Sequence, residues 1–313
     1  GAVEVPLHPQ AQAVCDLTNA TRVPVAPEER VQATREGWGL YLAMTGGEPQ
    51  PVHAVEDRDA NGVPVRVYHP SADTNLPIFV VFHGGGWVIG NVEQYDGIAR
   101  WLANASGALV VSVDYRLAPE NPYPAPLDDC FTAVKWAADH ATEIGGDPTR
   151  IAVGGDSAGG NLAAVCALLA RDAGGPELAL QVLIYPVVDY DFETGSYAAN
   201  GEGYVLGSDE MQWFFDSYTT GHVDPTDWHV SPLRARDVGG VAPALVLTAE
   251  YDPLRDEGQA YADRLRAAGV SVEYRCYEGM IHSFFGLAAF DAARDAMDFV
   301  ATGLQRAFGT LDP

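Results

Sequence analysis

The sequence predicts an α/β fold: a mostly parallel central sheet of about eight strands, helices on both faces, and a helical cap. Three observations lead there. From residue 76 onward, short apolar runs alternate with helix-length segments, the pattern of a parallel sheet covered on both sides. The stretch from Val153 to Leu162 packs a strand, a sharp turn and the start of a helix into ten residues, with Ser157 at the tip. Finally, residues 189–241 interrupt the alternation with one helical segment and many aromatics, which marks an insertion rather than more sheet.

The elements follow in order. Residues 1–50 mix polar and apolar positions and are broken by Pro6, Pro9, Pro24 and Pro27. Pro27 suits a first helical turn, so a helix is expected from there to Met44, stopped by Gly46 and Gly47. Runs 52–57 and 63–69 are strands joined by a turn over 59–62, a hairpin signal. The apolar run 77–82 opens the parallel part, with a helix over 94–106. Then come strand 108–113, helix 127–140, and the strand ending before Ser157 with its helix. Strands 180–184 and 244–248, helix 256–268, strand 272–277 and helix 288–308 complete the chain; a helix at 208–218 lies inside the insertion. The expected division is an N-terminal cap part at 1–50, core at 51–188, cap insertion at 189–241 and core again at 242–313.

Composition narrows the function. At 313 residues with 47% apolar content the chain is long enough for a sizeable core. The net charge of −25, with Lys135 the sole lysine among 18 basic residues, repels nucleic acid and anionic membranes. Either an acidic, arginine-preferring proteome or adaptation to high salt produces such a surface. No apolar run is long enough to span a membrane, and the first residues show no secretory signal; Gly1 in place of Met leaves prior removal of one open. Cys15, Cys130, Cys166 and Cys276 are far apart with no CxxC pair, which favours a reducing, cytoplasmic setting and weighs against zinc. No cofactor is expected, and a homodimer is left open.

The chemistry centres on Gly155-x-Ser157-x-Gly159. A serine on so tight a turn needs neighbours without a Cβ, and the turn aims the Ala158 N–H toward an oxyanion. The hydroxyl needs a base, usually histidine. Of the eight histidines, His282 follows the last strand and so falls at the edge where open α/β sheets place their sites. His8, His53, His69, His140, His222 and His229 read as packing or surface residues. Asp252, just after the 244–248 strand, can orient that base. Glu250 and Asp256 are alternatives, although Glu250 can still lie on the strand and Asp256 looks like a helix cap. Gly84, Gly85 and Gly86, after the 77–82 strand, can point N–H groups into a cavity. A phosphate loop is the rival reading, but no Gly-Lys-Ser/Thr follows.

Taken together, five stretches resemble the hormone-sensitive-lipase-like carboxylesterase branch of the α/β-hydrolases. They are His83-Gly84-Gly85-Gly86-Trp87, Asp114 to Glu120, Gly155 to Leu162, Ala249 to Asp256 and Ile281 to Phe284. They cover the chain from about residue 75 to 290. The resemblance implies Ser157 as nucleophile, His282 as base, Asp252 as its orienting acid, and an oxyanion hole from Ala158 plus two of the three glycines. It implies that 114–120 braces the loop carrying His83. It also implies hydrolysis of short- to medium-chain carboxylic esters through an acyl-enzyme. Amide or lactone hydrolysis stays open, and a non-catalytic small-molecule receptor on the same fold is the rival of another class. Trp87, Tyr204, Phe214, Leu254 and Ile281 are candidate substrate-pocket residues, with core packing as the alternative for each.

Overall fold

In the computed structural model, which describes residues 5–311, eight strands form one sheet in the order β1-β2-β4-β3-β5-β6-β7-β8. The reading for a leader rests on Gly1 to Pro6, of which Gly1 to Glu4 lie outside the described residues. Strand β1 (Ala54–Ala60) and β2 (Val63–His69) form the expected hairpin. Its turn holds Asn61 and Gly62 at φ 52 and 97, and Asp59 Oδ2 accepts the Gly62 N–H at 3.0 Å. Strand β2 runs antiparallel to β4 (Leu109–Val113). From β4 through β3 (Leu76–Phe82), β5 (Gly146–Asp156), β6 (Leu180–Ile184), β7 (Ala244–Tyr251) and β8 (Val272–Ile281) every pairing is parallel.

Side chains alternate across the sheet and feed two cores. Ile78, Val80 and Phe82 of β3 point to one face, where α4 (Ala125–Asp139) packs on α5 (Ala158–Ala173). Phe79 points to the other, where α3 (Asp96–Ser106) packs on α9 (Ala292–Phe308). A strand buried on both faces must be apolar at every position, which is why β3 reads Leu-Pro-Ile-Phe-Val-Val-Phe with no polar break. Helix α8 (Arg255–Ala267) covers β7 and β8.

The N-terminal region departs from expectation. It holds α1 (Pro9–Thr21) as well as α2 (Arg30–Thr45). Pro9 is not a breaker there: it occupies the first turn, where its missing N–H costs nothing, and His8 caps the helix by accepting the Gln10 N–H at 3.1 Å. Within 189–241 lie α6 (Gly195–Asn200) and α7 (Ser208–Thr219), and no strand among the described residues. Helix α9 begins at Ala292 instead of 288. All four cysteines are free, and no helix among the described residues is long and apolar enough to cross a membrane.

Candidate active site

Strands β3, β5, β6, β7 and β8 all end at one edge of the sheet, and Ser157, Asp252, His282 and the glycines at 84–86 sit just beyond those ends. Ser157 follows β5 directly. Its backbone is at φ 57, ψ −116, a conformation that costs a non-glycine residue roughly 1–3 kcal/mol. The turn is held by the Ser157 N–H on the Ile184 carbonyl at 2.8 Å, and by its own carbonyl accepting Asn161 N–H at 3.0 Å. Gly155 and Gly159 are required by close approach. A Cβ at either would collide with the Phe82 carbonyl of β3, so strand and helix can converge on the serine only without side chains.

His282 is the first residue after β8 and Asp252 the first after β7. His282 Nε2 lies 2.9 Å from Ser157 Oγ, and Nδ1 lies 2.6 Å from Asp252 Oδ2. Asp252 is fully buried, and its other oxygen accepts the Leu254 N–H at 2.8 Å. A buried carboxylate that accepts from both a backbone amide and the imidazole fixes the ring's tautomer, with the proton on Nδ1 and an acceptor lone pair facing the hydroxyl. The alternatives are occupied elsewhere. Glu250 lies on β7 and accepts N–H groups from Gly279 at 2.6 Å and Val5 at 3.3 Å. Asp256 is not the cap of α8, contrary to expectation; it lies inside the first turn and accepts the Ser196 N–H at 2.8 Å. His69, His140 and His229 pair with Glu56, Glu143 and Asp227, away from the serine.

The glycine run after β3 divides its labour. The Gly84 N–H is already taken, donating to Asp156 Oδ1 at 3.0 Å, so Gly84 is removed from the expected set of oxyanion donors. The N–H groups of Gly85, Gly86 and Ala158 have no acceptor among the described residues. Burial raises the Asp156 carboxyl to about 6, against the lowering effect of the Gly84 N–H. The loop is braced on all sides. Tyr115 Oη donates to the His83 carbonyl at 2.6 Å and its ring stacks on the His83 imidazole, as expected of 114–120. His83 Nδ1–H donates to the Gly84 carbonyl at 2.7 Å, and burial lowers the His83 pKa. From α2, Arg35 Nε donates to the Val88 carbonyl at 2.9 Å while its guanidinium fork grips Glu120 at 2.7 and 2.8 Å.

Of the pocket candidates, Phe214 is buried beside the glycine loop. Its ring lies directly over Gly86, so a Cβ there would fall inside it. Tyr204 is partly buried against Tyr251, ring centroids 5.2 Å apart. Trp87, Leu254 and Ile281 are fully buried, which favours core packing, the alternative expected for each. Trp87 has φ 62, which turns its indole back into the core to stack on Tyr218 at 4.5 Å. Two residues at the site were not foreseen. Tyr185 packs its ring 4.5 Å from His282, and its place just after β6 at the same sheet edge was the available signal. Asn200 Nδ2 donates to the Glu250 and Asp252 carbonyls at 3.2 and 3.4 Å, steadying the acid's loop; nothing in its sequence context marks it.

A strand-turn-helix serine, a relayed imidazole and unpaired amides at one sheet edge define the class of the α/β-hydrolases. A family model described as the alpha/beta hydrolase fold matches residues 79–286, and the chain belongs to that family, in its hormone-sensitive-lipase-like branch. The chain is 46% identical over 279 residues to the carboxylesterase NlhH of Mycobacterium tuberculosis, covering 86% of this chain and 87% of that protein. It is 42% identical over 225 residues to an arylesterase of Saccharolobus solfataricus, covering 72% and 73%. Among solved structures, the ester hydrolase EH1AB1 from the Lake Arreo metagenome, complexed with a bipyridine phosphonate derivative, superposes with a TM-score of 0.91 at 42% identity. That match covers 97% of this chain and all (100%) of that one. The hyperthermophilic esterase of the archaeon Pyrobaculum calidifontis gives 0.90 at 42%, covering 96% and 98%.

Proposed function

We propose that Ser157 is the nucleophile, His282 its general base and acid, and Asp252 the residue that orients and stabilises the imidazolium, with Gly85, Gly86 and Ala158 as the oxyanion hole. The chain is a carboxylic ester hydrolase. The observation that carries the residue assignment is the unbroken relay of 2.6 and 2.9 Å from Asp252 through His282 to Ser157, beside three N–H groups with no acceptor among the described residues. Ser157 Oγ attacks the ester carbonyl as its proton passes to His282 Nε2. The carbonyl oxygen gains negative charge facing the three amides, which are already oriented and need no reorganisation. Collapse expels the alcohol, protonated by His282, and leaves an acyl group on Ser157. Water then attacks that acyl group, giving its proton to His282, and the acid departs as Ser157 recovers its proton.

We further read 1–50 and 189–241 as a cap. Hydrogen bonds from α2 to both catalytic loops support this, Arg35 to Val88 and Tyr41 Oη to the Ser283 carbonyl at 2.8 Å, as does the Phe214 ring on Gly86. Four free cysteines support a reducing, cytoplasmic setting. Because Phe214 stands directly over the oxyanion loop, we infer a cleft that suits short acyl chains. The test is hydrolysis of p-nitrophenyl acetate, butyrate and palmitate. Acetate or butyrate is expected to exceed palmitate in kcat/KM by at least about tenfold, a difference of about 1.4 kcal/mol. Palmitate turnover equal to butyrate would refute the short-chain reading.

A further inference from the structure

The structure assigns to Glu210 a role in substrate selection: we propose that its carboxylate makes the cleft prefer esters bearing a fixed positive charge over neutral esters of the same shape. This rests on the ester-hydrolase reading above. Glu210 lies in the first turn of α7, four residues before Phe214. Residues at that spacing share one helix face, and the Phe214 ring places that face against Gly86 of the oxyanion loop. The carboxylate is therefore one helical turn from the ring that covers the glycine loop. It is partly buried. Burial raises its pKa, opposed by Arg22, Arg30 and His282.

Neither arginine satisfies it. Among the described residues Glu210 has no ion pair and no hydrogen-bond donor. Arg22 instead donates to the Val205 carbonyl at 3.3 Å, and the Arg30 guanidinium lies over the Trp213 ring at 4.4 Å. An acid in a first turn can simply complement the helix dipole, but exposed Asp209 beside it already does that. A dipole role gives no reason for a partly dehydrated, donorless carboxylate on the helix face that carries Phe214 onto the glycine loop. A cationic group on the substrate would complete it, since attraction between unlike charges strengthens as water is excluded.

The test compares each cationic ester with its neutral isostere on the same enzyme. The pairs are butyrylcholine with 3,3-dimethylbutyl butyrate, and p-nitrophenyl 4-(trimethylammonio)butyrate with p-nitrophenyl 5,5-dimethylhexanoate. They place the charge on the alcohol and on the acyl side respectively. In at least one pair the wild type is expected to favour the cation about tenfold in kcat/KM, and Glu210→Gln to bring that ratio close to one. Glu210→Thr, shorter and neutral, is expected to do the same, so the result does not depend on one variant folding. The acidic surface as a whole also attracts cations, but it is nearly unchanged by a single substitution, so a preference from that source would survive in both variants. Ratios near one in the wild type, or ratios that neither variant moves, overturn the proposal. Failure of the wild type to hydrolyse the neutral esters would instead count against the ester-hydrolase reading itself.

Discussion

Ser157→Ala is expected to lower kcat on p-nitrophenyl butyrate by at least about ten-thousand-fold, with the fold intact. Removing Oγ leaves substrate binding and the three amides in place, but no atom on which an acyl group can form. Residual turnover can then come only from water attacking in the oxyanion hole, the level at which triad-less serine hydrolases stall. The same position carries an opposite expectation for stability. Ser157 sits at φ 57, ψ −116, where a Cβ is crowded and glycine is not. Ser157→Gly is expected to gain about 1 kcal/mol, or about 2 °C in Tm, as it loses activity. Kinetics and a thermal melt on both variants check the pair. An alanine variant within tenfold of wild type would remove Ser157 from the mechanism, and a glycine variant less stable than wild type would remove the strain.

Gly85→Ala is expected to cost about a hundred- to a thousandfold in kcat, with a much smaller change in KM. Gly85 has φ 124, and a Cβ built on it meets the Ile89 carbonyl oxygen. That obstacle is backbone, in a turn closed by the Val88 and Ile89 N–H groups on the Gly85 carbonyl at 3.0 and 2.9 Å. The turn must open, carrying the Gly85 and Gly86 amides away from the oxyanion. Loss of one such donor removes about 3–4 kcal/mol of transition-state stabilisation. Gly62→Ala is the control. It also sits at positive φ, 97, but has nothing within 4 Å of a new Cβ and lies in the β1–β2 turn at the outer end of the sheet. It is expected to lose about 1 kcal/mol of stability and no kcat. Equal kcat for Gly85→Ala and wild type would show that this loop does not serve the oxyanion.

Much of this architecture was legible in the residues because its determinants are local. A strand buried on both faces is apolar nearly throughout, so β3 stands out as an uninterrupted run, and β4 and β6 are broken only by Ser112 and Gln181. The turn at Ser157 is legible for a related reason: Gly155 and Gly159 are forced by one carbonyl, that of Phe82, and leave a fixed spacing around the serine. His282 and Asp252 could be chosen from position alone, since each directly follows a strand that ends at the same edge.

What was hidden depends on contacts between distant segments or on dihedral angles that composition does not reveal. Nothing near Gly84 announces that its N–H belongs to Asp156, 72 residues away. Arg35 is an ordinary helical arginine until the fold brings Val88 and Glu120 to it. Trp87 adjoins the glycine run and so looked like a pocket wall, but its positive φ points the ring the other way. Helix α1 was missed because a proline was read as a break where it is a start.

The relay from Asp252 to Ser157 is tested most directly by covalent trapping with diethyl p-nitrophenyl phosphate, followed by intact mass and peptide mapping. One diethylphosphoryl group per chain is expected, on Ser157 Oγ, forming rapidly in the wild type, at least about a hundredfold more slowly in His282→Ala, and not at all in Ser157→Ala. Stoichiometric labelling at another residue, or labelling of Ser157 at the same rate without the imidazole, would contradict it.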